Sequence, residues 1–219
     1  GCGFQARSDK ERQIYHIEGE DLDLIGTAEI TLVGQHTDTT FNESDLPLKY
    51  AGYSYCYRYE KGSYGKDVRG ILRVHEFRKI EMVVFALPSE SDKIHEELRE
   101  IEEEIWQELE IPYQLIKQAT GDLGNAASRK YDIEAWMPSQ AKYREVTSTS
   151  NTTDFQARRL GIKVKIKNEN HYLHTLNGTA LALGRAMIAV YENYQNEDGS
   201  ITVPKVLQKW MEKDVIPVK

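Results

Sequence analysis

The sequence predicts an α+β fold in which an antiparallel β-sheet is flanked by helices, and three observations carry that reading. Two β-rich runs, Lys49 to Glu60 and Ile71 to Leu87, stand on either side of a loop from Lys61 to Gly70 that holds Gly62, Gly65 and Gly70, the pattern of a long antiparallel hairpin. The stretch Ser89 to Glu110 repeats Ile94, Leu98, Ile101, Ile105 and Leu109 at helical steps of three and four. Further strand-like runs then succeed one another through turns, with helices between groups of strands instead of after every strand, as a doubly wound parallel sheet would need.

In chain order, Ile14-Tyr15-His16-Ile17 reads as a short strand, Glu18 to Asp21 as a turn and Leu22 to Ile25 as a second strand start. Thr27 to Leu32 opens a helix if Thr27 caps it, although its threonine and isoleucine suit a strand as well. The hairpin follows, Ile71, Arg73, His75 and Phe77 sharing one face of its second strand and Met82 to Leu87 forming a more buried extension. In the helix from Ser89 to Glu110, Ser89 or Ser91 is the expected N-cap, and Glu96, Glu97, Glu100, Glu102, Glu103 and Glu104 ring the remaining surface as a solvated acidic face. Strands are expected at Tyr113 to Ile116, Tyr131 to Met137 and Tyr143 to Thr149, with turns at Gly121 to Gly124 and Pro138. Lys163, Lys165 and Lys167 alternate along a basic-faced strand. Small residues from Leu176 to Tyr194 suit a helix packed closely on a sheet, and a turn at Asp198 to Ser200, a short strand and a helical segment from Val206 to Met211 end the chain.

The 219 residues carry 28 Lys and Arg against 35 Asp and Glu, a net charge of −7, with 40% hydrophobic content. A chain of this length buries roughly 70% of its unfolded surface, so disulfides and metals are not needed to hold a core. Thirteen Tyr and three Trp, with β-branched residues in every stretch, exclude a disordered chain. No apolar run approaches the ~20 residues of a membrane span, and Gly1-Cys2-Gly3-Phe4-Gln5-Ala6-Arg7 lacks the charged and apolar regions of an export signal. Cys2 and Cys56 have no CxxC spacing, which fits a reducing compartment, so a cytoplasmic location with no membrane association is expected. The negative balance gives no independent support for RNA binding.

Arginines and carboxylates gather at strand positions beside glycine loops. Arg58 and Glu60 share a face of the first hairpin strand, Arg73 and Phe77 share a face of the second, and Glu81 lies further along it. Guanidinium forks suit phosphate and an exposed Phe can stack on a base, but periodicity alone favours cross-strand ion pairs among Arg58, Glu60 and Arg73 with no ligand. There is no GxxxxGK[ST] and no GxGxxG opening a helix, so a nucleotide site here is built from a sheet. His171 and His174 lack nearby partners for a zinc set.

The segment Asp67-Val68-Arg69-Gly70-Ile71-Leu72-Arg73-Val74-His75-Glu76-Phe77, preceded by Arg58-Tyr59-Glu60 and the loop Lys61-Gly62-Ser63-Tyr64-Gly65, resembles motif 2 of the class II aminoacyl-tRNA synthetases in its seryl form. Thr27-Ala28-Glu29, Thr120 to Gly124, Tyr143 to Ser148, Asp154 to Arg159, Leu176 to Arg185 and Glu192 to Pro204 resemble the same family in the same order, the segment ending at Arg185 being similar to class II motif 3. The resemblance covers nearly the whole chain. It implies activation of L-serine by ATP to seryl-adenylate and transfer of serine to tRNA(Ser).

By matched position, the resemblance places Arg58 on the α-phosphate and the serine carboxylate, Glu60 on the adenine amino group, and Phe77 and Arg185 on the two faces of the adenine, with Arg185 also reaching the γ-phosphate. It gives Arg73 the outer phosphates and Glu145 and Ser148 a Mg²⁺ ion, and it lines the ATP site with Tyr59, Val74, His75, Glu76, Val146 and Thr147. Serine selection falls to Thr27, Ala28, Glu29, Arg58, Glu81, Asn177 and Thr179, with Glu81 accepting from the substrate hydroxyl. Taken singly, Thr27 also reads as a helix cap, Glu29 as a surface residue, Thr179 as a helix N-terminal residue and Asn177 as a turn or cap.

Within this resemblance the chain is expected to be one catalytic domain, 1–219, truncated at its N-terminus before motif 2 so that motif 1 and the N-terminal helical tRNA arm of the longer protein are absent, and to dimerise when intact. Residues 147 to 153 read Thr-Ser-Thr-Ser-Asn-Thr-Thr where many relatives carry Ser-Cys-Ser, the metal-facing Ser148 being kept. Two alternatives stand beside the ligase: a homologue that loads an amino acid onto a carrier protein, and a catalytically silent paralogue acting as a binding subunit.

Overall fold

A computed structural model describes residues 13–60 and 70–218. The elements run α1 (Ala28–Gly34), β1 (Thr40–Asn42), β2 (Leu48–Tyr57), β3 (Glu76–Ala86), α2 (Ser91–Glu108), β4 (Tyr113–Lys117), β5 (Arg129–Met137), β6 (Lys142–Asn151), α3 (Phe155–Leu160), β7 (Lys163–Ile166), β8 (Glu169–Tyr172), β9 (His174–Ala182), α4 (Leu183–Tyr194), β10 (Ile201–Thr202), α5 (Lys205–Met211) and β11 (Val215–Ile216). The central sheet has six strands in the order β2-β3-β9-β6-β5-β4, every adjacent pair antiparallel. The expected fold class therefore holds, and β2 pairs with β3 as the expected hairpin. Residues 1–12, with Cys2, and residues 61–69, with most of the glycine loop and Asp67-Val68-Arg69, lie outside the described residues.

The two faces of the sheet are covered differently, and that difference makes the site. On one face α2 packs Ile94 and Leu98 against Met82, Val84, Ala86, Leu176 and Ala180, while Trp106 and Leu109 join Ile133, Ala135, Met137, Val146 and the α4 residues Ala186 and Ala189. On the other face α1, α3 and the small β1-β7-β8 sheet cover Val83 and Phe85 with Val33, Ala157, Ile162 and Val164. That second layer covers one end of the face, and the rest forms the floor of a cleft.

Several sequence expectations are corrected. Residues 14–17 and 22–25 make a single bridge, His16 to Asp23, around the expected turn, with no longer ladder. The second hairpin strand starts at Glu76, not Ile71, because pairing with β2 stops at Tyr57 to Glu76; Arg58 N–H still donates to the His75 carbonyl, but Glu60 then turns to φ 51°. Glu90, not Ser89 or Ser91, caps α2, with no side-chain cap bond. The stretch from Leu176 to Tyr194 is a central strand followed by a helix: its first half pairs on both edges, with β3 and β6, and its small residues admit α2 from one face. Glu102, placed on the solvated face of α2, is wholly buried beneath the sheet, as its step of four from Leu98 to Trp106 requires.

Candidate active site

Two irregularities in the ladders aim the cleft residues. Opposite β5, Thr147 pairs with Ile133 and Glu145 with Glu134, so Val146 is an extra residue in β6. A residue inserted in this way lets its neighbours share a face. Val146 packs into the helix-side core, and Thr147, buried on the same side, faces Glu102. Glu145 and Ser148, three apart, thereby both line the cleft. Opposite β3, Glu81 pairs with Thr179 and Ile80 with Leu181, so Ala180 is the extra residue in β9. Ala180 and Leu181 face the helices, and Thr179 and Ala182 both line the cleft.

The cleft gathers residues from four segments: Arg58 and Glu60 after β2, Arg73, Val74 and Phe77 before and at the start of β3, Glu145 to Ser148 in β6, and Thr179 and Arg185 at the end of β9 and the start of α4. Arg58 donates from Nε to the Gly26 carbonyl at 3.0 Å, and its guanidinium stands 5.1 Å from the centre of the Phe77 ring. Glu60 and Arg73 form an ion pair, and Arg73 Nε is buried without a hydrogen-bond partner. Arg185 donates from Nη1 to the Glu145 carbonyl at 2.7 Å and lies 3.5 Å from the Glu145 carboxylate. The cross-strand ion pair read from the sequence thus exists between Arg73 and Glu60, inside a cleft lined by further guanidinium.

A second cluster adjoins the cleft through Lys79 and Thr179. Thr27, 1% exposed, caps α1 by accepting from the Glu29 N–H at 3.2 Å and donates to Glu81 at 3.3 Å. Glu81, 2% exposed, is also paired with the buried Lys79 ammonium. Glu29 accepts from the side-chain amides of Gln156 at 2.6 Å and Asn177 at 3.1 Å. Burial first, and then the negative charge of Glu81, push the Glu29 carboxyl pKa up to about 7, against the opposing pull of Gln156, Lys79 and Arg58. Ala28 is buried in the first turn of α1.

Three of the expected ATP-site residues project differently. The Tyr59 ring stacks on Tyr15 with centroids 4.1 Å apart, the His75 ring nitrogen Nδ1 lies 3.2 Å from the Arg58 carbonyl, and Glu76 is exposed at the start of β3. Sequence reasoning missed Lys79, Gln156 and Glu102. Lys79 closes the polar opening of β3, Glu76-Phe77-Arg78-Lys79, so the pattern carried no signal for the first. Gln156 sat in a quoted motif without a role, and its amide, 0% exposed, joins Glu29 to Thr175 and Thr152. The surface placed between Glu100 and Glu104 hid the third.

Residues 13–194 match the family model of the tRNA synthetase class II core domain (G, H, P, S and T). The chain belongs to the class II aminoacyl-tRNA synthetases. Within that class its sequence is similar to the serine–tRNA ligases. It is 54% identical over 212 residues to the serine–tRNA ligase of Dictyoglomus thermophilum, covering 96% of this chain and 50% of that protein, and 54% identical over 217 residues to that of Rubrobacter xylanophilus, covering 99% and 51%. It superposes with a TM-score of 0.94 on the seryl-tRNA synthetase of Pyrococcus horikoshii complexed with ATP, at 50% identity over 99% of this chain and 49% of that one. The chain spans about half the length of the curated relatives it matches.

Proposed function

We propose that the chain carries the catalytic centre of a serine–tRNA ligase: ATP-dependent formation of seryl-adenylate, then transfer of the seryl group to the terminal ribose of tRNA(Ser). The observation that carries this reading is the junction of an arginine-lined cleft (Arg58, Arg73, Arg185) with a buried carboxylate cluster (Glu29, Glu81) in which Thr27 donates to Glu81 and Thr179 pairs with it in register. The first suits a triphosphate and the second an ammonium and a hydroxyl, and the two meet at Arg58 and Lys79.

In the first step a serine carboxylate oxygen attacks the α-phosphorus of ATP, the bond to the bridging oxygen breaks, and pyrophosphate leaves. Arg58 holds the α-phosphate against the serine carboxylate, and Arg73 and Arg185 take the outer phosphates, so the chain acts mainly by positioning and charge stabilisation. The unpartnered Nε of Arg73 is a donor that a phosphate oxygen satisfies. Phe77 and Arg185 sandwich the adenine, with Glu60 accepting from its amino group; Tyr59, Val74, His75, Glu76, Val146 and Thr147 contribute the surrounding backbone. Glu29 faces the serine ammonium, Asn177 and Thr179 line the pocket, and Glu81 accepts from the serine hydroxyl, leaving alanine or glycine with an unpaired buried acceptor.

Glu145 and Ser148 offer a carboxylate and a hydroxyl on one side of β6, oxygen donors that fit Mg²⁺, a hard cation that keeps waters and substrate phosphates in its shell. When bound, Mg²⁺ neutralises phosphate charge. In the second step the ribose hydroxyl attacks the seryl carbonyl carbon and AMP leaves. We place the whole protein in the cytoplasm as a homodimer; among the described residues no helix is long and apolar enough to cross a membrane. ATP–pyrophosphate exchange across a panel of amino acids tests the reading. Exchange with serine is the expected result, and exchange with glycine or alanine but not serine would overturn the seryl assignment.

A further inference from the structure

Glu102 projects from α2 into the helix-side face of the sheet, 0% exposed, and neither carboxyl oxygen has a hydrogen-bond partner. It meets the backbone of β9 at Gly178. A methyl group built on Gly178 would lie 2.7 Å from Glu102 Oε1 and 3.0 Å from Thr149 Oγ1. A clash with the end of a flexible side chain is ordinarily relieved by rotation, but Glu102 is wholly enclosed, and Trp106 Nε1, one turn along α2, is itself buried without a partner. The carboxyl group therefore occupies the space that Gly178 leaves.

Gly178 stands between Asn177 and Thr179, whose side chains lie on the opposite, substrate-side face of β9: Asn177 donates to Glu29, and Thr179 pairs in register with Glu81. Thr147, which faces Glu102 from β6, adjoins Ser148 in the same way. We propose that Glu102 is a positioning residue, its carboxyl group wedged beneath Gly178 so that the height of β9 at Asn177 and Thr179, and hence the serine pocket, is set from the back of the sheet. The inference rests on the proposed serine site. Burial drives the Glu102 carboxyl well above the usual carboxylate range, so the wedge is a neutral acid.

Four variants of the chain test this: Glu102→Gln, Glu102→Ala, Gly178→Ala and the double Glu102→Ala/Gly178→Ala. Gln has the size of the neutral acid, so Glu102→Gln is expected to keep serine and ATP KM values within about twofold in ATP–pyrophosphate exchange. Gly178→Ala lifts β9 against the fixed carboxyl group and raises the serine KM about tenfold or more while leaving the ATP KM within about twofold. Removing the wedge from that variant reverses the effect, so the double variant binds serine several-fold better than Gly178→Ala alone. An unchanged serine KM in Gly178→Ala, multiplicative losses in the double variant, or equal rises in the serine and ATP KM values would overturn the proposal. Thermal midpoints of the same four variants keep the two readings apart. If the unsubstituted chain activates no serine, the proposed reaction fails, while the wedge stands on a double variant that melts above Gly178→Ala and falls on additive midpoints.

Discussion

The side-chain amide of Gln156 donates to the carboxylate of Glu29 at 2.6 Å although the two residues are 127 positions apart in the chain. Its carbonyl oxygen accepts from Thr175 at 2.6 Å, so the amide is held from both ends and cannot flip without losing both bonds. Glu29 is thus oriented by α3 and by β9, through Asn177, as much as by its own helix.

Gln156→Leu removes that donor and leaves Glu29 harder to ionise. A hydrogen bond to a charged group contributes about 1.5–3 kcal/mol, so the serine KM is expected to rise roughly 10- to 100-fold. The ATP KM stays within about twofold, since Gln156 does not line the phosphate cleft. Initial-rate exchange with each substrate varied in turn measures both values.

The Glu29 carboxyl, with its pKa near 7, makes serine use depend on pH. The serine ammonium is attracted by the ionised form, so kcat/KM for serine falls about tenfold per unit as pH drops below 7, and Glu29→Gln flattens that limb. The folded state holds this proton more tightly than the unfolded chain. Its contribution to stability is therefore complete below about pH 4.5 and is lost as pH rises through about 7. A flat kcat/KM between pH 5 and 7.5 would remove Glu29 from this role.

Glu81→Ala should abolish serine activation more than it affects ATP binding, and it also strands the buried Lys79 ammonium. Breaking a buried pair in that way costs about 3–5 kcal/mol. Adding Lys79→Met should recover most of the stability in urea denaturation without restoring exchange, separating recognition of the hydroxyl from folding. Equal loss of serine and ATP binding would refute the role given to Glu81.

Ile133, 0% exposed, faces the Val146–Thr147 irregularity from β5 and packs in the core with Trp106. Ile133→Ala is expected to lower stability by about 2–5 kcal/mol, read as a shift of the urea midpoint at constant slope. Because that core supports the β6 segment bearing Glu145 and Ser148, a rise in the Mg²⁺ concentration needed for half-maximal exchange should accompany it.

The amino-acid sequence alone determined the fold class, the β2–β3 hairpin, the α2 helix and the residues of the arginine cleft, because period-two and helical spacing and the motif 2 segment are local signals. Tertiary structure decided the rest. Whether residues 176–182 form strand or helix depended on having β3 and β6 on either side, since small residues suit both conformations. Glu145 and Ser148 share a face because β6 holds one residue more than β5 opposes, a property of the pairing and of neither strand by itself. Glu102 looked like one more member of an acidic surface, and only the seating of α2 against Gly178 buries it. Burial and charge proximity join residues far apart in the chain, so the site's residue types were legible beforehand, but their alignment and the raised pKa of Glu29 came from the packing.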